Sequence, residues 1–287
     1  MLAAGVSSAR RITGMQGSLG EKIGEGVFAD VHAWAPGQVV KLLKAGAKRW
    51  ESRREARMTR AIFAAGAPAP EVFGEVELEG RFGIVLGRFE GPTLLQLMRS
   101  GAISFGQAGA ILAALCRSVH KTPPPPDIPF LRDVMYGWLR ISGAAVPEHI
   151  ATGILDLIER LRPGDGLCHA DPNPGNVIMT VDGPRFVDWG AAVRAPAALD
   201  LASCHIGLTE LAPEVADNPQ RPLAVNAAAQ TEYARLAGMS EAALTAAVKP
   251  YLPIIRVRIV LAEAVPAVPG LRERLIQRIE ADLRLED

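Results

Sequence analysis

The sequence predicts an α+β fold in which a small antiparallel-sheet part precedes a larger, mostly helical one. Short strand-forming runs separated by glycine turns fill residues 19–87, and apolar-periodic helical stretches fill most of residues 92–287. One strand–turn–strand unit interrupts the helices at residues 177–187. At 287 residues the chain can bury a large core, and the length suits one two-lobed enzyme or two small domains.

Residues 1–18 read as a flexible tail. Arg10 and Arg11 follow the apolar residues there, the reverse of a secretory leader, and Met15 offers an alternative start. From about Leu19, GEKIGEGVFADVHAW gives two strands joined at Gly24-Glu25-Gly26, and Trp34–Gly37 turns the chain into a third strand, QVVKLLK. Lys48–Ala65, rich in Ala, Arg and Glu, predicts a helix that stops at Gly66 before Pro68 and Pro70. Glu51, Glu55, Met58 and Ile62 recur at steps of four, three and four, which puts two carboxylates on the apolar stripe. A carboxylate buried there needs a partner. On a solvated face, Glu51 instead pairs with Arg54 and Glu55 lies among Arg53, Arg54, Arg57 and Arg60.

Two further strand-like runs, VFGEVELEG and RFGIVLGRF, meet at the Glu79-Gly80 turn and complete five strands. Helices are predicted for Thr93–Arg99 and for Ser104–Val119, the second capped by Ser104. The KTPPPP segment is a stiff spacer before helical stretches at Asp133–Ser142 and Pro147–Arg160. Beyond the embedded hairpin, Ala195–Leu211 returns to helix. Arg221–Asp287 is helical and alanine-rich, broken at Pro250, Pro253, Pro266 and Pro269.

The chemistry concentrates in HADPNPGNVIMTVDGPRFVDWG, His169–Gly190. Val177–Thr180 and Arg185–Val187 are β-prone, with turn residues Val181–Pro184 between them. A fold-back centred near Asp182 brings Asn176 and Asp188, six residues away on either side, together at the open end. Such oxygen ligands suit Mg²⁺ shared with nucleotide phosphates. Asp171, five residues before Asn176 on a loop stiffened by Pro172 and Pro174, adds a carboxylate able to take the proton of an attacking hydroxyl. The triplet Asp171, Asn176, Asp188 therefore reads as phosphoryl-transfer machinery.

Composition excludes several other classes. Thirty-one basic and 31 acidic residues leave a formal net charge of +0 without a like-charge arm, which argues against a nucleic-acid partner. No apolar run reaches the roughly 18 residues of a membrane span. Cys116, Cys168 and Cys204 lack disulfide or zinc spacing and fit a reducing cytoplasm, and the five histidines are scattered. No G-x-x-x-x-G-K-[ST] loop occurs.

The D-x-x-x-x-N spacing, the hairpin and the D-W-G that follow resemble the catalytic loop and metal-binding Asp of the protein-kinase-like superfamily. His169, Asp171, Pro174, Gly175 and Asn176 are most similar to the aminoglycoside phosphotransferase and choline kinase branch. Ala170 stands where Gly is usual in that branch, and Asn173 where His is common. The resemblance implies a bilobal protein-kinase-like fold: an N-lobe at residues 19–91 with a hinge at 86–91, and a C-lobe at 92–287. By the same resemblance Gly24 and Gly26 lie over phosphates, with Ala29 at the third glycine position. Lys41 holds the α- and β-phosphates, with Lys44 as the competing choice, and Glu55 pairs with Lys41, with Glu51 second. Leu86 and Arg88 belong to the hinge that holds adenine, and His169 anchors the loop. Asp200 of the D-L-A run either braces the catalytic loop or caps a helix.

The resulting expectation is a cytoplasmic small-molecule kinase that uses ATP and Mg²⁺, with Asp171 positioning the acceptor hydroxyl and Asn176 and Asp188 holding the metal. Two alternatives remain, a nucleotide-binding pseudokinase-like regulator and a protein kinase. The eleven residues between Asp188 and Asp200 are too few for a peptide-binding activation segment. From Leu201 to Ala267 six acids face five bases, a balance that favours a small neutral or weakly charged acceptor over a polycationic aminoglycoside. Acidity from Glu286 and Asp287 tilts that balance if the C-terminus folds into the cleft.

Overall fold

The computed structural model describes residues 10–11, 18–141, 145–161, 163–263 and 265–284. The candidate start at Met15 and the acidic Glu286 and Asp287 lie outside the described residues.

The strand-forming runs build one antiparallel sheet from β1 (Arg10–Arg11), β2 (Lys22–Glu25), β3 (Ala29–Ala33), β4 (Gln38–Leu43), β5 (Val72–Leu78) and β6 (Arg81–Gly87). Their order is β1-β5-β6-β4-β3-β2. The sheet therefore has six strands where the pattern predicted five. The extra one lies within residues 1–18, which had read as a flexible tail: it pairs Arg10 with Glu77 and Arg11 with Val76, and two residues are too few to show alternation. The glycine turn also lies further on than expected: β2 continues through Glu25, and Gly26 N–H donates to Ala29 O at 2.8 Å. At the β5–β6 turn, Glu79 and Gly80 take φ values of 52° and 75°, the left-handed pair that suits a tight hairpin.

Helix α1 (Arg49–Ala64) covers one face of this sheet. Ala56 packs with Val39, Val72, Ile84 and Leu86, while Trp34, Val40, Leu42, Val76 and Val85 cluster separately. The lower half of α1 belongs to the other lobe, because Met58 and Ile62 are buried in the large helical core. The predicted apolar stripe thus ties the sheet to the helices.

That core is built by α2 (Leu94–Arg99), α3 (Phe105–His120), α4 (Leu131–Ile141), α5 (Glu148–Arg160), α6 (Ala198–Ile206), α8 (Gln220–Ala237), α9 (Glu241–Val248), α10 (Leu252–Leu261) and α11 (Leu271–Arg284), while the short α7 (Ala212–Val215) buries no residue. Capping boxes start α2 and α3: Thr93 Oγ1 accepts from Gln96 N–H at 3.0 Å, and Ser104 Oγ from Gln107 N–H at 3.1 Å. The predicted helix at Ala195–Leu211 is composite. It runs as α6 and then loosens into one π-helical turn at Gly207–Leu211. Short strands β7 (Gly166–Cys168) and β10 (Val193–Ala195) pair with each other, and β8 (Val177–Thr180) with β9 (Gly183–Phe186).

The link between the lobes is fastened to the embedded hairpin. Met179 N–H donates to Pro92 O at 2.9 Å, and Thr93 bridges to Ile178. Gly91, at φ 145°, lies so close over Met179 that an added Cβ would stand 2.0 Å from its carbonyl oxygen. Only glycine fits that approach.

Candidate active site

The β8–β9 register runs from Val177↔Phe186 to Thr180↔Gly183. The fold-back is centred between Val181 and Asp182, half a residue before the expected centre on Asp182. Asn176 therefore lies opposite Val187, whose N–H donates to Asn176 O at 2.9 Å. Asp188 is the next residue, and its left-handed φ of 64° turns the chain out of the strand. The expected meeting of Asn176 and Asp188 thus has a one-residue offset set by the two-residue turn.

Asn176 ends a 3₁₀ turn, Pro174–Asn176, that Asn173 caps by accepting from Gly175 N–H at 2.9 Å. Its amide donates to Asp171 Oδ2 at 2.9 Å and to Asp171 O at 3.1 Å, while Asn173 Nδ2 donates to Asp171 Oδ1 at 3.1 Å. Asp171 is held from two sides and exposed to the cleft. Enclosure by the cleft walls raises its pKa, opposed by His169 and reinforced by the Asp188 charge.

The loop before Asp171 is braced by Asp200. One carboxylate oxygen accepts from Ala170 N–H at 2.6 Å, and the other from His169 N–H at 2.9 Å and from His120 Nε2 at 3.0 Å. Of the two readings of Asp200, the brace is the observed one. Ala197 occupies the cap position of α6, and Asp200 lies inside the first turn. Ala170, at φ 66°, adopts a backbone that favours glycine, and Asp200 holds both N–H groups of the bend. His169 is fully buried, 4.5 Å from the Phe186 ring and 4.6 Å from the Trp189 ring, and its Nε2 meets Val187 O at 2.9 Å. It anchors the segments carrying Asp171 and Asp188 to each other.

Lys41 reaches this cluster from β4. Its Nζ donates to Glu55 Oε1 at 2.7 Å and to Asp188 Oδ1 at 2.8 Å. Burial works against its charge, but Glu55 and Asp188 override that and hold the ammonium above its usual pKa. Asp188 moves the opposite way: enclosure by the cleft walls raises it, and Lys41 more than compensates, keeping it ionised. The competing residues have other partners. Lys44 pairs with Asp30 at 2.6 Å, and Glu51 accepts from Lys48 N–H at 3.3 Å. Gly190 lets α1 approach, since a Cβ there would stand 3.1 Å from Glu55 Oε2.

These bonds leave Asn176 Oδ1 and further lone pairs on Asp188 uncommitted, and the Asp188 side chain is 48% exposed. Two oxygen donors open to the cleft fit a hard divalent cation that keeps waters. Gly24 lies in β2 opposite Val31, and Gly26 begins the turn beyond it, with Val27 and Phe28 exposed at the tip. Leu86 is buried against Val39 and Val72. Arg88 gives its N–H to Gly37 O at 2.9 Å and pairs with Glu90 at 2.9 Å. Both sit at the lobe junction, with Arg88 engaged in protein contacts.

Sequence reasoning missed the members of the support network that lie far off in the chain. His120 Nδ1 meets Tyr233 OH at 2.7 Å, across 113 residues, and no spacing rule signals that pair. His120, Cys168 and Asp200 bring ligand-type atoms within 4.8 Å of one another, but the loop and Tyr233 already use the imidazole and the carboxylate. After Asp188 a 3₁₀ turn at Trp189–Ala191 leads directly into β10, which pairs back on β7. No described helix is long and apolar enough to cross a membrane.

Residues 31–239 match the family model described as phosphotransferase enzyme family. Among solved structures, the chain is similar to the apo form of a thermostable mutant of an aminoglycoside phosphotransferase. That match has a TM-score of 0.61 and 18% identity, covering 94% of this chain and 96% of the other. It is also similar to a choline/ethanolamine kinase family protein from Mesorhizobium loti, with a TM-score of 0.58, 17% identity and coverage of 94% and 89%. A third similar structure is a streptomycin–ATP ternary complex of an aminoglycoside phosphotransferase, with a TM-score of 0.54, 13% identity and coverage of 91% and 90%. No curated protein matches the sequence.

Proposed function

Since the chain belongs to the phosphotransferase enzyme family, we propose that it moves the γ-phosphoryl group of ATP to a hydroxyl of a small molecule. The observation that carries this reading is the convergence of Lys41, Glu55, Asp171, Asn176 and Asp188 at the open end of one hairpin, each held by a named partner. A structural relative bound to streptomycin and ATP supports ATP as the donor.

Asn176 and Asp188 would hold Mg²⁺ in this reading, and the ion would supply positive charge to neutralise the phosphates. Lys41, kept protonated by Glu55 and Asp188, steadies the α- and β-phosphates. Gly24 and Gly26 present bare backbone above them, and the strand end at Leu86 and Arg88 borders the adenine. Asp171 accepts the proton of the acceptor hydroxyl and aligns its oxygen for in-line attack. The N-lobe is residues 19–91, with the hinge at 86–91, and the C-lobe is 92–287.

The acceptor in this reading is a small hydroxylated metabolite in preference to an aminoglycoside. A pocket for a polycation needs free carboxylates, and several acids of the C-terminal region are already neutralised. Glu210 pairs with Arg256 at 2.6 Å and Arg278 at 3.0 Å, Glu214 with Arg274 at 2.8 Å, and Glu232 with Arg235 at 2.6 Å. ADP release measured across aminoglycosides, sugars, amino alcohols and hydroxy acids tests the proposal. ATP binding without transfer to any acceptor marks a regulator, and turnover confined to aminoglycosides overturns the acceptor class.

A further inference from the structure

Helix α10 carries two buried arginines, Arg256 and Arg258, each 6% exposed. Two residues apart on a helix, they face different surroundings. Arg256 is fully neutralised by Glu210 and Asp282. Arg258 has no carboxylate partner among the described residues. Its Nη2 donates to Ala191 O at a long 3.3 Å, its Cζ lies 5.8 Å from the Trp138 ring centroid, and its Nη1 has no partner. A buried guanidinium with an unused donor is costly, and such charges are paired in folded proteins.

The location of this cation matters. Ala191 lies three residues beyond Asp188, in the turn that leaves the active site. Burial depresses the Arg258 pKa, the charges of Asp171 and Asp200 counteract this, and Arg54 of α1 adds to the depression. Both carboxylates are committed elsewhere, Asp171 to Asn173 and Asn176, and Asp200 to His120 and the loop. Arg54, half-buried beside Glu55, forms no ion pair among the described residues. Arg258, hydrogen-bonded into the turn that leaves the active site and within reach of the Asp171 charge, thus has no counter-ion of its own among the described residues.

We propose that the acceptor carries an anionic group, a carboxylate or a phosphate, that docks on Arg258 beside Asp171 while its hydroxyl faces the Asp171 carboxylate. The inference rests on the phosphotransferase reading and narrows its substrate class to hydroxylated anions. Docking gives the guanidinium the counter-ion that the described residues do not supply, in place of the long contact with Ala191 O.

The test measures ADP release by the full chain with Mg·ATP and matched acceptors. D-glycerate, L-serine and glycerol 3-phosphate form the anionic series, and glycerol, L-serinamide and ethanolamine the uncharged and cationic one. The wild-type protein should favour the anionic series in kcat/KM by roughly ten- to a hundredfold, the value of a hydrogen bond to a charged group. The carboxylate and phosphate members show which anion is used. Arg258→Gln should collapse that ratio through KM for the acceptor, and Arg258→Lys should restore part of it. Preference for the uncharged or cationic series, or an unchanged ratio in Arg258→Gln, overturns the inference and leaves the phosphotransferase reading intact. Mg·ATP binding with no transfer to either series also overturns it. Failure to bind Mg·ATP at all removes both.

Discussion

Replacing Asp200 tests the architecture of the site most directly, because its carboxylate accepts from three buried donors: the N–H groups of His169 and Ala170, and His120 Nε2. Asp200→Ala strands all three. At about 1–3 kcal/mol for each buried donor left unpaired, with part of the loss relieved by relaxation, the cost is roughly 4 kcal/mol. For a chain of this size that lowers Tm by about 8–16 °C. Asp200→Asn keeps one accepting oxygen but turns an N–H toward a donor, so about half that loss is expected. The side chain next to the bend is Asp171, so kcat should fall further than KM for ATP changes. Burial raises the Asp200 pKa, but the His120 hydrogen bond and the charges around it reverse this and set it below the usual carboxylate value. A depressed carboxylate stabilises above its unfolded pKa, so this contribution should be lost as pH falls below about 4, and Asp200→Asn should lack that acid-dependent step. Thermal melts and acid titrations of the three proteins, with steady-state kinetics, read out all of this. A Tm within about 3 °C of wild type for Asp200→Ala, with normal kcat, would falsify the brace.

Asp171→Asn should lower kcat by roughly 10²–10⁴-fold while ATP binding, followed by calorimetry, survives; undiminished turnover removes Asp171 from the chemistry. Because the Asp171 pKa is raised, kcat/KM should rise with pH through a value above that of an ordinary Asp, and this acidic limb should vanish in the Asn variant. Asp188→Ala should no longer respond to added Mg²⁺, whereas Lys41→Ala should still respond with weaker ATP engagement; two wild-type-like titrations would mean the site lies elsewhere. Gly91→Ala should cost at least ~2 kcal/mol, because its Cβ meets Met179 O at 2.0 Å, and a melt unchanged from wild type would show that the contact is not needed.

Much of the fold was legible because its signals are local. The α1 stripe, the Ser104 cap and the Glu79-Gly80 turn each declare themselves within one element, and each was observed. The pairing of Lys41 with Glu55 and not Glu51 was legible only as a choice, since steps of four and three put both carboxylates on one stripe and only the sheet decides which is reached. The hairpin was located, and its register missed by half a residue, because turn residues alone do not tell a two-residue loop from a longer one. What stayed hidden depends on contacts between distant segments: the β1 edge strand, the His120–Tyr233 pair and the isolation of Arg258. A charge balance of six acids against five bases says nothing of which charges already hold each other.

The fastening of the lobe connection to the hairpin ties the sheet to the site. Residues 91–93 are tied to β8 by the Gly91 approach, the Met179–Pro92 hydrogen bond and the Thr93–Ile178 bridge, so they travel with Asn176 as one rigid piece. The sheet is held to the helices a second time, by Met58 and Ile62 of α1 in the helical core and by Pro68 O, which accepts from Phe186 N–H at 2.9 Å. The Lys41–Asp188 contact therefore joins a sheet and a hairpin that are fastened on both sides of it, by the lobe connection and by the segment after α1.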